Sequence, residues 1–400
     1  MGVLDCGQGL PLVSAKREHS ANEEARSPVK SVLILIGTRP EAIKMAPVVL
    51  QLQKSRTLRP VVCATGQHRE MLASALEDFG IVPDADLALM TPGQTLNGLA
   101  GRLFLSMEKT FSEFDPACLL VQGDTTTAMI GAVSGFYQRI PVGHVEAGLR
   151  SHDMTAPYPE EFNRRAAALA ASWHFAPTQG AKDNLLREGI APEQVLITGN
   201  TIVDALMRMR RHILAAPPRL PEEAERIVRA GTPYVLITGH RRENFGQGME
   251  SLCEAIRILA ERHRDHAFIY PVHLNPLVHD VVHARLGGLS NVVLIPPCGY
   301  TPFLRLLDSS LFIISDSGGI QEEAPSFGKQ VLVTREVTER PEGVEAGVCH
   351  LVGTDTQTII DRAEALFAMR DAKTSVPNPY GDGKAAERIV AFLEENLETA

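Results

Sequence analysis

Short apolar runs, each closed by a glycine or a polar residue and followed by a helix-length stretch, recur along almost the whole chain. KSVLILIG, RPVVCATG, ACLLVQGD, IPVGHVEA, SWHFAPT and QVLITGN fall in its first half. PYVLITGH, AFIYPVH, NVVLIPP, LFIISDS and KQVLVTR fall in its second. Continuously apolar runs this short suit strands buried on both faces, which occur in parallel sheets covered by helices. Glu70–Phe79, Leu96–Glu113, Thr126–Gln138, Glu250–Arg262, Pro302–Asp308 and Ile320–Phe327 read as such helices. The alternation predicts an α/β protein built on doubly wound parallel sheets.

The strand runs divide into two sets. Between them, Asn200–Leu220 reads as a helix and a proline-rich linker, AAPPRLPEE. The expected layout is an N-terminal Rossmann-like domain over 30–199 and a C-terminal one over 200–383. An amphipathic segment, Lys384–Leu397, is expected to rejoin the first domain, so that 384–400 belong with it. Residues 1–29 are polar and irregular and read as a disordered extension. No internal sequence repeat is evident. Two such domains facing each other leave a cleft, a preferred place for a ligand.

Composition narrows what that ligand can be. The net charge of −9, the absence of any basic run and an aromatic content of only 5% argue against nucleic acid. No apolar run approaches the ~20 residues of a membrane span, and the N-terminus has no signal-peptide pattern. The six cysteines are scattered, without CxxC pairs or His/Cys metal spacing. That predicts no bound metal and a reducing cytoplasm.

Charge gathers at the carboxyl ends of the runs, where parallel sheets bind ligands. Asp124 closes CLLVQGD, Glu146 closes IPVGHVE, and Glu160 follows in PYPEEFNRR. In GTRPEAIKMAP, a glycine at a strand-to-helix turn lets backbone amides approach an anion, with Arg39 and Lys44 adding positive charge. It is neither a Walker loop nor a GxGxxG motif, so triphosphate hydrolysis and NAD are not indicated. ITGHRRENFG carries His240, which can bind phosphate or move a proton. In SDSGGIQEEAPSFG, Ser317, Gly318 and Gly319 read as a turn holding a diphosphate, and Glu323 as an acceptor for ribose hydroxyls. Gln67 to Glu70, in TGQHREML, and His273, in PVHLNP, read by default as capping or surface residues.

The strings GTRPEAIKMAPVV, TGQHREML, QGDTTTA, PVGHVEAGLRS, PYPEEFNRR, TGNTIVDAL, GHRRENFG, PVHLNP, DSGGIQEEAPSFGKQVLV and REVTERPEGVEAG resemble, in this order, the bacterial non-hydrolysing UDP-N-acetylglucosamine 2-epimerases. The resemblance implies a glycosyltransferase B-type fold closing on a sugar nucleotide. It implies interconversion of UDP-GlcNAc and UDP-ManNAc without cofactor or metal, in a homodimer. By motif match, Arg39, His240, Ser317, Gly318, Gly319 and Glu323 fall on nucleotide and phosphate contacts. Asp124, Glu146 and Glu160 fall on the acidic residues needed for turnover. Gln67, Glu70, Arg102, Arg241 and His273 match a second UDP-GlcNAc site that activates some members. Leu277 stands where asparagine is common, and Glu70 where some members have glutamine.

The chemistry explains the residue types. Carbon 2 of a sugar nucleotide has no neighbouring carbonyl, so its hydrogen is not acidic. Expelling UDP from carbon 1 makes an oxocarbenium-like centre that acidifies it. Elimination to a glycal, then re-addition of UDP after protonation on the other face, inverts carbon 2. Cations and amides stabilise the departing diphosphate, and carboxylates stabilise the sugar cation and move the proton. The alternatives are a glycosyltransferase of the same fold, a hydrolysing epimerase and a non-catalytic sugar-nucleotide sensor. A sensor needs none of the three carboxylates.

Overall fold

The computed structural model describes residues 29–66, 69–91, 93–239, 241, 244–369 and 376–398. The expected N-terminal extension lies, but for Val29, outside the described residues. Strands of the first half are β1 (Lys30–Ile36), β2 (Leu58–Ala64), β3 (Ala85–Asp86), β4 (Cys118–Gln122), β5 (Val142–Val145), β6 (Trp173–Ala176) and β7 (Val195–Ile197). Its helices are α1 (Arg39–Leu52), α2 (Arg69–Glu77), α3 (Leu96–Phe114), α4 (Thr126–Tyr137), α5 (Glu160–Ala170) and α6 (Gln179–Arg187). Helices α7 (Thr201–Ala215) and α8 (Glu222–Ala230) lead to β8 (Tyr234–Thr238), β9 (Ala267–Pro271), β10 (Val292–Ile295), β11 (Ile313–Ser315), β12 (Val331–Val333) and β13 (Cys349–Leu351). Between and after these strands come α9 (Gln247–Arg262), α10 (Pro276–Leu286), α11 (Tyr300–Ser309), α12 (Gly318–Glu323), α13 (Pro341–Glu345), α14 (Thr356–Ala368) and α15 (Ala385–Glu398).

Among the described residues, the first sheet has seven strands in the order β3-β2-β1-β4-β5-β6-β7. The second has six, in the order β10-β9-β8-β11-β12-β13. Strands pair in parallel throughout. Each order reverses once, between β1 and β4 and between β8 and β11. A crevice opens at the carboxyl ends of strands at such a reversal, and ligands bind there. The two halves are therefore Rossmann-like doubly wound domains in the glycosyltransferase B-type arrangement.

The strands are buried on both faces, as their unbroken apolar runs require: Val32 to Ile36 and Cys118 to Val121 are at most 1% exposed. Helices α3, α4 and α5 cover one face of the first sheet, and α9, α10 and α14 one face of the second. A single apolar cluster runs between the halves, through α1, α7, α11, α12 and α15. Helix α7 packs against α1 on one side and against α11 and α12 on the other. Helix α15 lies on α1 and α7. Its Phe392 sets its ring edge-on to Trp173 and Phe175, 5.7 and 5.5 Å between ring centres. Its Glu394 accepts the Ser55 hydroxyl at 2.5 Å. No helix among the described residues is long and apolar enough to cross a membrane.

Candidate active site

At the first reversal, Gly37 and Thr38 turn the chain from β1 into α1. A Cβ on Gly37 would lie 2.4 Å from the Thr127 hydroxyl oxygen, so only glycine lets this turn pack on α4. Thr38 caps α1, and Glu41 completes a capping box. The Glu41 Oε2 accepts the amides of Gly37 and Thr38 at 2.9 and 2.5 Å, and Oε1 accepts the Thr125 hydroxyl at 2.7 Å. The amides that the sequence reading offered to a ligand anion are thus taken by the helix's own carboxylate. Burial pushes Glu41 up to about 7, against those hydrogen bonds. Arg39 stays available. Its guanidinium carbon stands 5.6 Å over the ring centre of Tyr300, in the opposite half.

Asp124 follows Gly123, whose φ is +71°, at the end of β4. Its carboxylate pairs with Arg164 on α5. Its carbonyl accepts the Asn163 amide at 3.0 Å, and the His144 ring meets the Gly123 carbonyl at 2.8 Å. Glu160 opens α5, and its side chain makes no hydrogen bond or ion pair among the described residues. Glu146 ends β5 in a left-handed conformation, φ +62°. A non-glycine residue seldom adopts it, at a cost of roughly 1 kcal/mol or more, and such strain gathers at functional sites. This backbone aims the carboxylate at Lys44 Nζ, 2.5 Å away, and at Gln122 Nε2, 2.7 Å away.

Lys44 also reaches across the cleft. Its Nζ donates to Glu322 Oε2 of α12 at 3.0 Å, and Arg340 Nε donates to Glu322 Oε1 at 2.6 Å. Arg340 meets Glu339 in turn, and Arg335 meets Glu339 at 2.8 Å. The result is a chain of alternating charge, Glu146–Lys44–Glu322–Arg340–Glu339–Arg335, with every side chain at most 11% exposed. Burial pushes Glu146 above the usual carboxylate range; Lys44 and Arg340 oppose this and Glu322 reinforces it. Burial also pushes Glu322 up, but Arg340 and Lys44 together hold it below its ordinary value.

At the second reversal, Ser317 occupies the N-cap position of α12 yet makes no side-chain cap bond. Gly318 and Gly319 open that helix instead of forming a turn, a difference from the sequence reading. A Cβ on Gly318 would lie 2.6 Å from an Arg340 guanidinium nitrogen, so glycine here makes room for Arg340. Glu323 Oε1 accepts the Tyr300 hydroxyl at 3.1 Å, and burial pushes its carboxyl up to about 7. The Arg241 amide donates to Asp316 at 2.9 Å, fixing the turn after β8 to that after β11.

His240, Gln67 and the Glu70 side chain lie outside the described residues. Arg102, on α3, donates to the Leu89 carbonyl at 3.0 Å and to Gln94. His273 is exposed, and its ring accepts the Asn275 amide at 3.1 Å. A cavity of about 850 Å³ opens between the halves, with Arg150, Ser151 and Arg187 on one wall and Arg241, Arg335 and Glu342 on the other. It meets the buried charge chain at Arg335 and Glu339; the three carboxylates do not line it. Among the described residues, His263, Asp265 and His266 alone bring metal-ligand atoms together, within 4.8 Å. They precede β9, at the strand end opposite the site, and their polar atoms already pair with Glu364 and with each other.

Gln122, Arg164, Tyr300, Glu322 and Arg340 join the site without having been singled out from the sequence. Gln122, Arg164, Glu322 and Arg340 lie inside motif strings, and Tyr300 lies outside them. Helical position decides between Glu322 and Glu323, and sequence spacing alone did not.

A family profile described as UDP-N-acetylglucosamine 2-epimerase matches residues 50–394. The UDP-N-acetylglucosamine 2-epimerase of Escherichia coli K12 is 47% identical over 370 residues, covering 91% of this chain and 98% of its own. The crystal structure of the Neisseria meningitidis UDP-GlcNAc 2-epimerase bound to UDP-GlcNAc superposes with a TM-score of 0.84 at 44% identity, over 92% of this chain and 100% of that one. The Methanocaldococcus jannaschii enzyme, in complex with UDP-GlcNAc and UDP, superposes with a TM-score of 0.77 at 33% identity, over 91% of this chain and 99% of that one. Two doubly wound domains with charged groups at both reversals, matched over about nine-tenths of the chain by these enzymes, place the chain in the UDP-N-acetylglucosamine 2-epimerase family.

Proposed function

We propose that this protein interconverts UDP-GlcNAc and UDP-ManNAc by eliminating and re-adding UDP, and so supplies ManNAc for cell-surface polysaccharide. The observation that carries the reading is Glu146: a buried carboxylate on a strained backbone at a sheet's carboxyl edge, paired with Lys44. Arg39 and the Ser317, Gly318 and Gly319 segment receive the diphosphate, whose charge grows as the bond to carbon 1 breaks. Lys44 adds positive charge behind them. Glu323 accepts ribose hydroxyls. Asp124, Glu146 and Glu160, with His240, stabilise the cationic sugar and move the proton on and off carbon 2. Elimination and re-addition moves a proton and a leaving group but no hydride, so it calls for no hydride carrier.

The test is NMR of UDP-GlcNAc incubated with the protein in D₂O. UDP-ManNAc carrying deuterium at carbon 2 is expected, with no effect of added NAD. Product that keeps its original hydrogen refutes elimination. Free ManNAc with UDP marks a hydrolysing enzyme. Asp124→Asn, Glu146→Gln and Glu160→Gln should each lower turnover ~10²-fold or more, the usual scale for a general acid–base group, while UDP still binds.

We also propose a homodimer through the outer face of α3, α4 and α5. These helices are neighbours, and they expose Leu105 (68%), Phe136 (61%), Tyr137 (71%) and Leu169 (80%). Clustered apolar side chains of this size mark association surfaces. A second UDP-GlcNAc bound by Gln67, Glu70, Arg102, Arg241 and His273 acts as activator. The reducing cytoplasm suits Cys63, Cys118, Cys253, Cys298 and Cys349, all of them free thiols.

A further inference from the structure

Glu322 is the one carboxylate in the buried charge chain that touches cations from both halves. It sits on α12, yet its Oε2 accepts Lys44 Nζ, from α1, at 3.0 Å, while Oε1 accepts Arg340 Nε, from its own half, at 2.6 Å. Its side chain is 1% exposed. A buried carboxylate is tolerated only when paired and hydrogen-bonded, so each cation depends on Glu322 as much as it depends on them. Gly318 makes the arrangement possible by leaving room for the Arg340 guanidinium. Lys44 has two carboxylate partners, Glu146 on its own half and Glu322 on the other. If the halves part, Lys44 keeps Glu146 and loses Glu322.

We propose that Glu322 is a positioning residue for the epimerisation: reaching across the cleft, it fixes the Lys44 ammonium against Glu146, so that the proton-handling site is complete only when the two halves are closed. The inference rests on the reading that Glu146 acts in turnover. Glu322 has no role toward the sugar itself. It orients the cation that orients the carboxylate. It also explains why Lys44, an exposed-type residue on a helix buried almost all round, lies buried at the domain boundary. Lys44 is the N-terminal domain's half of a closing contact whose other half is Glu322.

The experiment is a double-mutant cycle read in kcat and KM for UDP-GlcNAc, with UDP affinity measured by calorimetry. Glu322→Gln keeps the shape and removes the charge. It should lower kcat roughly tenfold or more, the size of coupling expected within one ion-pair network. KM and UDP affinity should change less than about threefold, because the contacts to UDP stay intact. Lys44→Met should lower kcat as well, and the double variant should be no worse than Lys44→Met alone. Glu322→Asp keeps the charge but retracts it by one methylene. It should show the same kcat-only loss in smaller measure, and it serves if the glutamine variant does not fold. Unchanged kcat, a loss confined to KM, or fully additive losses in the double variant would overturn the proposal. Glu146→Gln run in parallel separates the two readings. If it stays fully active, the role of Glu146 falls. If it is inactive while Glu322→Gln keeps its kcat, only the role of Glu322 falls.

Discussion

His144 and His174 lie side by side in register on β5 and β6, directly behind the Asp124 turn. Burial pushes His144 down to about 4 and His174 down to about 3, with nearby Arg150 adding to both shifts. The sign follows from linkage. Both rings are neutral in the folded chain and would charge near 6.5 in the unfolded one. Their contribution to stability is whole above about pH 6.5 and is lost as pH falls toward 4. Among the described residues neither ring nitrogen of His174 has a hydrogen-bond partner, and removing an unsatisfied buried polar group costs little. His174→Leu should therefore leave stability at pH 7 within about 1 kcal/mol of the parent. At pH 4.5 it should recover roughly 2 kcal/mol of the acid loss. Urea unfolding at the two pH values decides, and an undiminished acid loss counts against the account. At this scale the chain announces some partners and hides others. Thr38 and Glu41, three apart before an apolar run, spell a capping box, so the occupied amides of the β1–α1 turn were readable. That Glu322 and not Glu323 would meet Lys44 was not. The two are sequence neighbours, and only the rotation of α12 against α1 separates a partner of Tyr300 from a partner of Lys44.

Helix α15 illustrates what patterning reveals about elements. Its amphipathic repeat announces a helix with one buried face, and Ile389, Val390, Leu393 and Leu397 form that face. The sequence does not announce its anchor. Asp204, on α7, accepts the amides of Ala385 and Ala386 at 3.2 and 2.9 Å, capping α15 from another helix. Asp204→Ala leaves those amides bare and should cost about 1–2 kcal/mol, as losing a cap does. Hydrogen exchange should quicken across 385–398 with turnover at saturating substrate little changed; protection equal to the parent's would refute the anchor. Strands were legible wherever a run is apolar on both faces. The edge strands β3 and β13 lie outside that signal, because an edge is short and half exposed. The helix expected over Ile320–Phe327 starts earlier, at Gly318, and breaks after Glu323 into a 3₁₀ turn, Ala324–Phe327. Pro325 has no N–H to extend the α-helical ladder, which accounts for the break.

For the whole molecule, the outer face of α3, α4 and α5 carries the prediction on assembly. Light scattering should find two copies, and Tyr137→Glu with Leu169→Glu should give a folded monomer. A parent that scatters as a monomer refutes the interface. The division into two sheets and eleven of the thirteen described strands follow from the sequence; β3 and β13 do not. The contact between the halves does not, since Lys44 and Glu322 stand 278 positions apart and meet only once both sheets exist. The return of α15 to α1 has a consequence for how the protein is made. As the chain leaves the ribosome, α1, with Arg39 and Lys44 on it, appears before every other helix described here, and α15 appears after all of them. Until then the Trp173 and Phe175 rings and the outer side of α1 lack their cover. The N-terminal domain is begun first and completed last, and the C-terminal domain is assembled inside that interval, so a nascent chain stalled before residue 385 would hold the site's cations on a helix whose own packing is unfinished.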